Sequence, residues 1–382
     1  MGSYRQQFGA ALLGALLLLA APAAVRAASF VPVDYLDPLD SYGYALTISH
    51  DGQVVGIASG TNPTSAQVAG YWTAGSSHAL AGLAGWVEFR PHGANADGSV
   101  LVGEGQESSD HAVVWRWDAV SGSYQITDLG PADRAYGVSG DGSIVVGNAT
   151  GNSSQPGTRY EAGLRHDLLP LGGDAAAGAY DIDAAGALAV GWSLAGSTKR
   201  PVRWDGTNNW TVSALAELRP GAGGMARGVA PNGAWIAGES GGQAVVWDSA
   251  GNLIDLGIDG YASAIASNGV AVGHTGGATA GFSGAFVWDA TNGVRSLWQL
   301  LVDAGVSTSQ PFVDFATDIS ADGTRIVGYG RNAANNVQGW VVTLDGAGSG
   351  SLAVPEPRAG AVAALAALLV LRSCAGFAAA RD

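Results

Sequence analysis

The sequence is nearly devoid of cysteine and lysine, and it carries few charges. Cys374 is the only cysteine, so the chain can form no internal disulfide and must rely on its packed core. Lys199 is the only lysine, 13% of the residues are charged, and the formal net charge is −14. An acidic chain without a basic cluster disfavours binding to nucleic acids.

The sequence signatures of common catalytic and metal sites are missing as well. The six histidines show no H-E-x-x-H or other metal-ligand spacing, and no G-x-S-x-G motif occurs. The recurring aspartates lie far apart compared with the ligands of a calcium loop. We therefore expect no metal and no cofactor, while a single calcium ion in the channel and a pair of catalytic carboxylates stay open because both require geometry.

The N-terminus has the pattern of a secretory signal peptide. Arg5 precedes the apolar run AALLGALLLLA, and small residues, including Val25 and Ala27, follow it. The run is too short for a membrane span, so we expect residues 1–27 to be removed by cleavage after Ala27. The remaining chain is then an exported protein.

A glycine-centred motif recurs along the rest of this glycine-rich chain. It is usually Asp-Gly or Asn-Gly, followed by a short apolar run and a second glycine, as in SGDGSIVVG. Such dipeptides between apolar strands indicate tight β-hairpins, because they adopt positive φ readily. One copy has Ala185 instead of the acid, which favours a turn role over a repeated catalytic acid. The turn glycines are Gly52, Gly98, Gly142, Gly186, Gly233, Gly269 and Gly323.

A second hairpin follows each of the first ones, often with a Trp in its first strand, as in AVVW ending at Trp247. One unit thus contains four short strands, a to d, and the turn glycines are 36 to 54 residues apart. This period is typical of β-propeller blades. We predict an all-β, seven-bladed β-propeller of four-stranded blades, in which Arg165 occupies the Trp position of the third unit.

The two ends of the repeat region complement each other. The last unit lacks a fourth strand, and residues 30–39 are predicted to supply it, which closes the ring and removes exposed strand edges. Leucines at helical spacing predict one short helix near 296–304. The predicted domains are a signal peptide at 1–27, the propeller at 28–346, a flexible linker at 347–353 and a C-terminal segment at 354–382.

Two stretches resemble the HAF-family extracellular repeats of bacteria, namely HAVVWRWDAVSGSYQITDLG at 111–130 and FVWDATNGVRSLWQLLVDAG at 286–305. The resemblance extends over roughly residues 35–345. It implies an exported repeat protein, and it transfers no catalytic residue to this chain.

The C-terminus resembles the PEP-CTERM sorting signal. An apolar run, 359–371, follows a VPEP tetrapeptide and would be about 20 Å long as a helix, shorter than the apolar slab of a bilayer. The resemblance implies processing by an exosortase-type sorting machinery at the cell surface or extracellular matrix, with at least transient anchoring by a transmembrane helix. Whether the tail is cleaved or kept stays open. The tetrapeptide consists of Val354, Pro355, Glu356 and Pro357.

The loops that do not repeat are the expected place of function. The a–b turns are uniformly tight, whereas the b–c loops are polar and vary in length, and variable loops on a rigid scaffold commonly carry binding sites. We expect this face to bind a partner, with polysaccharide as the candidate ligand. The candidate binding residues are Glu104, Asp110, Arg159, Lys199, Arg200 and Arg331.

Three functions remain open at this point. A non-enzymatic binding module is favoured over a hydrolase or lyase of extracellular polysaccharide and over a purely structural surface protein. An enzyme should gather carboxylates, Arg165, Arg203 or a histidine at one end of the channel, with perturbed acidity. We expect the protein to be a monomer that touches the membrane only through its C-terminal segment.

Overall fold

The computed structural model describes residues 28–62, 66–131, 133–150, 154–276, 284–306 and 313–344. Within these ranges the chain forms 27 β-strands, a short 3-10 helix at Gly206–Asn208 and one α-helix, so the predicted all-β class is confirmed. The first strands are β1 (Ala28–Pro32), β2 (Tyr42–Ile48), β3 (Val55–Gly60), β4 (Val68–Thr73), β5 (Ser76–Ala79), β6 (Glu88–Ala94), β7 (Val100–Gln106), β8 (Asp110–Asp118), β9 (Ser123–Pro131), β10 (Asp133–Val138), β11 (Ile144–Ala149), β12 (Gly157–Glu161), β13 (Leu164–Leu168) and β14 (Ala176–Ile182). The later ones are β15 (Leu188–Ala195), β16 (Thr198–Asp205), β17 (Thr211–Ala214), β18 (Gly224–Val229), β19 (Trp235–Ser240), β20 (Gln243–Asp248), β21 (Leu253–Ile265), β22 (Ala271–Thr275), β23 (Gly284–Asp289), β24 (Gly293–Ser296), β25 (Phe315–Ile319), β26 (Arg325–Arg331) and β27 (Val337–Leu344).

The strands pair antiparallel in groups of four, which we call units, and one parallel bridge, Tyr42 to Val337, joins β2 to β27. Units 1 to 4 are β2–β5, β6–β9, β10–β13 and β14–β17. The long strand β21 belongs to two units, because its first part pairs with β20 and completes unit 5, while its second part pairs with β22 and opens unit 6. Unit 6 ends at β24, and unit 7 consists of β25–β27 together with β1.

The N-terminal strand joins the last unit. In β1, Ala28 pairs with Leu344 and Pro32 with Trp340, and the Val33 N–H then donates to the Gly339 carbonyl at 2.8 Å. The strand is therefore shorter and earlier than the predicted 30–39. A turn ends the extended segment, since the carboxylate of Asp37 accepts from the backbone N–H two residues later at 2.8 Å.

The single α-helix of the described residues, α1 (Leu297–Asp303), confirms the helix predicted near 296–304. Ser296 caps it, because its hydroxyl accepts from the Gln299 N–H at 3.3 Å. Leu297 and Leu301 are fully buried in the core between units 6 and 7. The helix thus covers an apolar surface that two neighbouring units leave open.

The a–b turns have the hydrogen bonds expected of Asp-Gly hairpins. The carboxylate of Asp141 accepts from the Ser139 hydroxyl at 2.6 Å and the Ser143 N–H at 2.9 Å, and these bonds hold its pKa near 2. Gly142 has a φ of 74°. In the unit that has Ala185 before its turn glycine, Asp183 instead accepts from two backbone N–H groups, at 2.7 and 3.0 Å. The acid is therefore part of the turn.

Successive a–b turns are linked to one another by hydrogen bonds that run around the molecule. Each joins a donor in one turn to a carbonyl in the next, and the last turn donates to the first. Proline at 231 has no N–H, so the side-chain amide of Asn232 donates in its place. The bonds are Asp51 to Ala96, Ala96 to Gly140, Gly140 to Ala184, Ala184 to Pro231, Asn232 to Ser267, Ser267 to Ala321 and Ala321 to His50, with donor–acceptor distances of 2.9, 3.0 or 3.1 Å.

Buried Trp side chains of strand c tie units 2, 4 and 5 to the connections before them. The indole N–H groups of Trp115, Trp204 and Trp247 donate to backbone carbonyls of these connections at 2.8–2.9 Å. In unit 3 the equivalent residue is Tyr160, which pairs with Val145 in strand b. The prediction that Arg165 takes this position is wrong, because Arg165 lies in strand d and binds Asp133 at 2.7 Å.

The second glycine of the motif allows strands a and b to approach closely. Strand a of unit 3 has a β-bulge after Ala135, which pairs with Gly147, and a Cβ added to Gly147 would overlap the Arg134 carbonyl oxygen. Five further glycines have the same backbone-carbonyl clash in their own units. They are Gly103, Gly191, Gly238, Gly273 and Gly328.

We expect Gly147→Ala to lower the free energy of unfolding by about 1–3 kcal/mol, because the added methyl group must displace backbone. Urea denaturation measures the loss. The matched control is Gly172→Ala, since a Cβ there meets no atom within 4 Å. Equal effects of the two substitutions would contradict the close-approach explanation.

Candidate binding site

The first strands of all seven units surround a central cavity of about 110 Å³. Its wall carries small side chains, such as Thr47, Gly93 and Ala264, beside large ones such as Tyr136 and Tyr180. The cavity lies inside a channel that has two ends. The a–b turns lie at the first end, and the b–c loops lie at the second. At this second end, which we call the mouth, the structure gathers aromatic and charged side chains.

One side of the mouth is an arc of aromatic rings, all of them half-buried. The arc runs from unit 1 through unit 7 to unit 6, and each ring contacts the next. Tyr44 meets Tyr329 edge-on at 4.9 Å, and Phe315 stacks on Tyr329 at 4.9 Å. His274 stacks on Phe315 at 4.0 Å and lies 6.1 Å from Tyr261. These distances are typical of aromatic pairs that stabilise one another.

The other side of the mouth combines charges with further rings. Arg227 lies over the ring of Tyr261 at 4.1 Å and pairs with Glu239 at 3.1 Å, so it joins the two arcs. Tyr180 and Tyr136 form an edge-on pair at 5.3 Å. The arc of Arg227, Glu239, Tyr180 and Tyr136 continues through His92, Glu104, Arg134 and Arg90. We call the two arcs together the mouth ring.

Glu104 is the centre of the charged cluster in unit 2. Its carboxylate is 2.7 Å from Arg134, 3.6 Å from His92 and 3.8 Å from Arg90. Burial by itself would raise the pKa of Glu104, but the nearby His92 and the two arginines outweigh burial and lower it. The carboxylate is therefore charged at neutral pH, and Arg134 also pairs with Asp110 at 2.7 Å.

Two carboxyl groups lie deep in the channel below the mouth. Asp181 accepts from the Val229 N–H of the next unit at 2.8 Å, and Asp318 accepts from the Ile48 N–H of unit 1 at 2.9 Å. Burial raises the pKa of Asp181 to about 7 and that of Asp318 to about 6, although the backbone hydrogen bonds oppose the rise. Both line the central cavity, where a water-sized molecule can touch them.

The predicted binding residues fall into two groups. Glu104 and Asp110 lie together in the charged cluster, and Lys199 lies 4.3 Å above the ring of Trp192 on the same side. Burial, then the charge of Arg227, lowers the pKa of Lys199. Arg331 is exposed at the start of a b–c loop, where it donates to the Asn335 carbonyl at 3.2 Å.

The remaining predicted residues do not join the mouth ring. Arg159 is buried in the middle of β12, paired with Glu161 and 4.7 Å from the ring of Trp210. Arg200 is held by Asp174 at 2.6 Å. The processing residues Ala27, Val354, Pro355, Glu356 and Pro357 lie outside the described residues.

Sequence reasoning missed most of the mouth ring. Tyr44, Arg134, Tyr261 and Phe315 each stand immediately before the alanine that opens the motif, seven residues ahead of the turn glycine. The recurrence of large or charged side chains at this one position of the motif is the sequence signal that indicates the mouth ring. The arginines proposed for an enzyme are elsewhere, since Arg203 is half-buried beside Ser213 and Arg165 lies in strand d.

Neither a metal cluster nor a membrane helix is found in the part of the chain that the structure describes. There, no three His, Cys, Asp or Glu side chains are grouped closely enough to hold a metal ion. No helix within the described ranges is long and apolar enough to cross a bilayer. The C-terminal segment predicted to do so lies outside these ranges.

Comparison with known proteins identifies a fold but no family. No family model matches the chain, and no curated protein matches its sequence. Oligogalacturonate lyase from Vibrio parahaemolyticus has a similar structure, with 9% identity, a TM-score of 0.52 and coverage of 83% of this chain and 97% of the lyase. A prolyl endopeptidase matches at 13% identity and a TM-score of 0.51 over 79% of this chain. The chain has a β-propeller-like fold.

These matches cover only part of some of the similar proteins, which limits what can be inferred from them about this chain. The chain spans 47% of the endopeptidase. It also spans 53% of TolB from Acinetobacter baumannii, which covers 56% of this chain at 14% identity and a TM-score of 0.42. At such identities the likeness concerns the fold alone, because one fold can host many unrelated functions.

Proposed function

We propose that this protein is a closed seven-bladed β-propeller that acts as a non-enzymatic binding module. Closure is supported by the pairing of β1 with β27 and by the hydrogen bonds that return from the Ala321 turn to the His50 turn at 2.9 Å. A closed propeller leaves only short, protected strand edges, which suits a chain without structural disulfides.

The mouth ring is the observation that carries the binding proposal. Tyr and Arg side chains dominate binding energy in protein recognition, because each presents a large apolar surface together with a polar end. Here Tyr44, Tyr261 and Tyr329 are half-buried and braced by ring or arginine contacts, so little conformational freedom is lost on binding. We propose polysaccharide as the ligand, since aromatic rings can pack on the apolar faces of sugars.

The proposed location of the protein rests on three sequence features. The signal peptide, the HAF-like repeats and the PEP-CTERM-like tail support export to the cell surface or extracellular matrix. An exosortase-type sorting machinery is the proposed partner of the tail. The VPEP tetrapeptide and the apolar run after it support this assignment.

Binding through the mouth can be tested with a double variant. We expect Tyr44→Ala/Tyr261→Ala to weaken binding to a polysaccharide at least about tenfold, because one ring is lost from each end of the aromatic arc. Affinity electrophoresis through gels containing galactomannan, xyloglucan, alginate or polygalacturonate measures it. Trp117→Ala is the control, because Trp117 is a 43% exposed aromatic away from the mouth.

Two results would contradict the proposal. Wild-type protein that is retarded by none of the polymers would remove polysaccharide as the ligand and favour a purely structural protein. Equal retardation of the double variant and the wild type would move the site away from the mouth.

A hydrolase or lyase is the second candidate, favoured by one observation. Asp181 and Asp318 are channel carboxyls whose pKa values of about 7 and about 6 suit proton transfer near neutral pH. Their cavity of about 110 Å³ is small for a sugar chain, and backbone N–H groups occupy both carboxyls. Release of reducing ends from any of the four polymers, lost in Asp181→Asn, would establish the enzyme.

A further inference from the structure

A cavity opens in the mouth ring where units 1, 2 and 7 meet. Its volume is about 350 Å³, within the range of small-molecule pockets. Two rings and one aliphatic side chain form its apolar walls, and an amide, a guanidinium and an imidazole form the polar end. The lining residues are Tyr44, Leu46, Gln67, Arg90, His92 and Tyr329.

The polar end of this cavity is fixed in place. Gln67 is 3% exposed, its backbone carbonyl accepts from the Phe89 N–H at 2.9 Å, and its side-chain oxygen accepts from Arg90 Nε at 2.9 Å. The Nη2 of Arg90 lies 2.6 Å from Glu88. The guanidinium is thus held by two partners before any ligand arrives, which lowers the entropic cost of binding.

Arg90 keeps hydrogen-bonding capacity toward the cavity. Its Nη1 lies 3.8 Å from Glu104, beyond hydrogen-bond distance, so among the described residues this nitrogen has only a distant acceptor. A ligand hydroxyl could accept from it. His92 serves as a wall instead, because its ring leans on Tyr136 at 4.9 Å and its Nε2 is enclosed on the side of Glu104.

The apolar walls also have fixed orientations. Tyr329 is held between Phe315 and Tyr44, at 4.9 Å from each. Burial raises the pKa of Tyr329 to about 12 and that of Tyr44 above its usual value, so both hydroxyls stay protonated and can donate. The cavity therefore offers ring surface and neutral hydroxyls beside one guanidinium.

The charges around the cavity select against an anionic ligand. The positive charge of Arg90 is already balanced by Glu88 at 2.6 Å, and Glu104 adds a second carboxylate nearby, whose partner Arg134 is shared with Asp110. A uronate would approach both carboxylates in a chain whose net charge is already −14. An uncharged sugar meets the same donors without this repulsion.

We propose that the cavity of Tyr44, Leu46, Gln67, Arg90, His92 and Tyr329 is a subsite for one uncharged sugar residue of a polysaccharide. The sugar packs its C–H face on the tyrosine rings, and one of its hydroxyls accepts from Arg90 Nη1. This assignment rests on the proposed polysaccharide-binding function and locates it on one part of the mouth ring.

The test compares two tyrosines at the same position of the repeat. Tyr44 lines the cavity, whereas Tyr261 stands at the equivalent place of unit 6, outside it. We expect Tyr44→Ala to weaken binding to galactomannan or xyloglucan at least about tenfold. Tyr44→Phe keeps the ring and should lose much less affinity than Tyr44→Ala, as should Tyr261→Ala, whereas Trp117→Ala, away from the mouth, should stay within about threefold of the wild type.

Folding must be separated from binding, so each variant is first compared by its melting temperature. Should Tyr44→Ala not fold, Leu46→Trp replaces it, because the larger ring fills the cavity and should abolish binding. Each affinity is measured on the full chain by affinity electrophoresis and by calorimetry with oligosaccharides of the same polymers.

The outcomes distinguish this inference from the function on which it rests. Wild-type protein that binds no polymer overturns both. Binding that survives Tyr44→Ala and Leu46→Trp but is lost in Tyr261→Ala overturns the subsite and leaves the mouth as the binding face. Tighter binding to alginate or polygalacturonate than to the neutral polymers overturns the assignment of an uncharged sugar.

Discussion

Deleting residues 28–40 is expected to lower the melting temperature by roughly 10 °C, the largest effect that we predict for this chain. The deletion removes β1, whose five residues pair with β27, and it exposes the edge of unit 7. It also removes the buried side chain of Val33 and the hydrogen bond from the Tyr35 hydroxyl to the Val337 carbonyl at 3.1 Å. The lost burial and the lost hydrogen bonds together should lower the free energy of unfolding by about 5 kcal/mol.

Scanning calorimetry on the protein starting at residue 28 or at residue 41 measures this loss. Two neighbours in β1 provide a finer comparison. Phe30 packs on the core cluster beneath α1, whereas Val31 is 40% exposed. Phe30→Asp should destabilise strongly and Val31→Thr only slightly. An unchanged melting temperature after the deletion would show that β1 does not close the ring.

Stability is expected to fall as the pH rises from 5 to 8, because of the two channel carboxyls. The pKa values of Asp181 and Asp318, about 7 and about 6 in the folded protein, exceed the value of about 3.9 of an unfolded chain. The folded state thus binds more protons in this range, so protonation favours folding and ionisation opposes it. For both groups together the change in unfolding free energy is roughly 4 kcal/mol between pH 5 and pH 8.

Another titratable group lines the same cavity and acts in the opposite direction. Burial lowers the pKa of His50, so stability from its neutral form is lost as the pH falls below about 6.5. Arg227 and His92 also line the cavity. The pH dependence of the unfolding free energy of the wild type therefore reflects several titratable groups. Variants are needed to isolate the contribution of the two carboxyls.

The Asp181→Asn/Asp318→Asn variant should have a flatter dependence of unfolding free energy on pH than the wild type. Asparagine cannot ionise, so the proton uptake of the folded state disappears even if one hydrogen bond is also lost. Asp118→Asn is the control, since Asp118 is exposed and has a pKa below its usual value, which keeps it charged from pH 5 to pH 8. Parallel curves for the double variant and the wild type would refute the assignment.

The repeated part of the fold follows from local chemistry. Asp141 and Gly142 specify a turn through their own hydrogen bonds and positive φ, so reading them requires no knowledge of distant residues. The same holds for Ser296 and the leucines of α1. The pattern assigns the Trp position of unit 3 to the wrong residue, because Tyr160 replaces the Trp that marks strand c in other units.

The mouth depends on contacts that local patterns do not contain. Tyr44 and Tyr329 lie at opposite ends of the chain and meet because unit 7 lies beside unit 1. Asp181 and Asp318 resemble ordinary turn acids in sequence, and only their position in the channel distinguishes them. Glu104 and Asp110 were found because they flank a variable loop, but their partner Arg134 comes from the next unit.

The hydrogen bonds between a–b turns all point the same way around the channel, each donor facing the carbonyl of the following unit. In a helix, aligned peptide dipoles leave a positive and a negative end that attract ions. Dipoles arranged head to tail in a circle have no ends, and their vectors largely cancel. The circle of bonds therefore adds no charged pole to this face of the molecule, and the charge of the face comes instead from ionised turn acids such as Asp141.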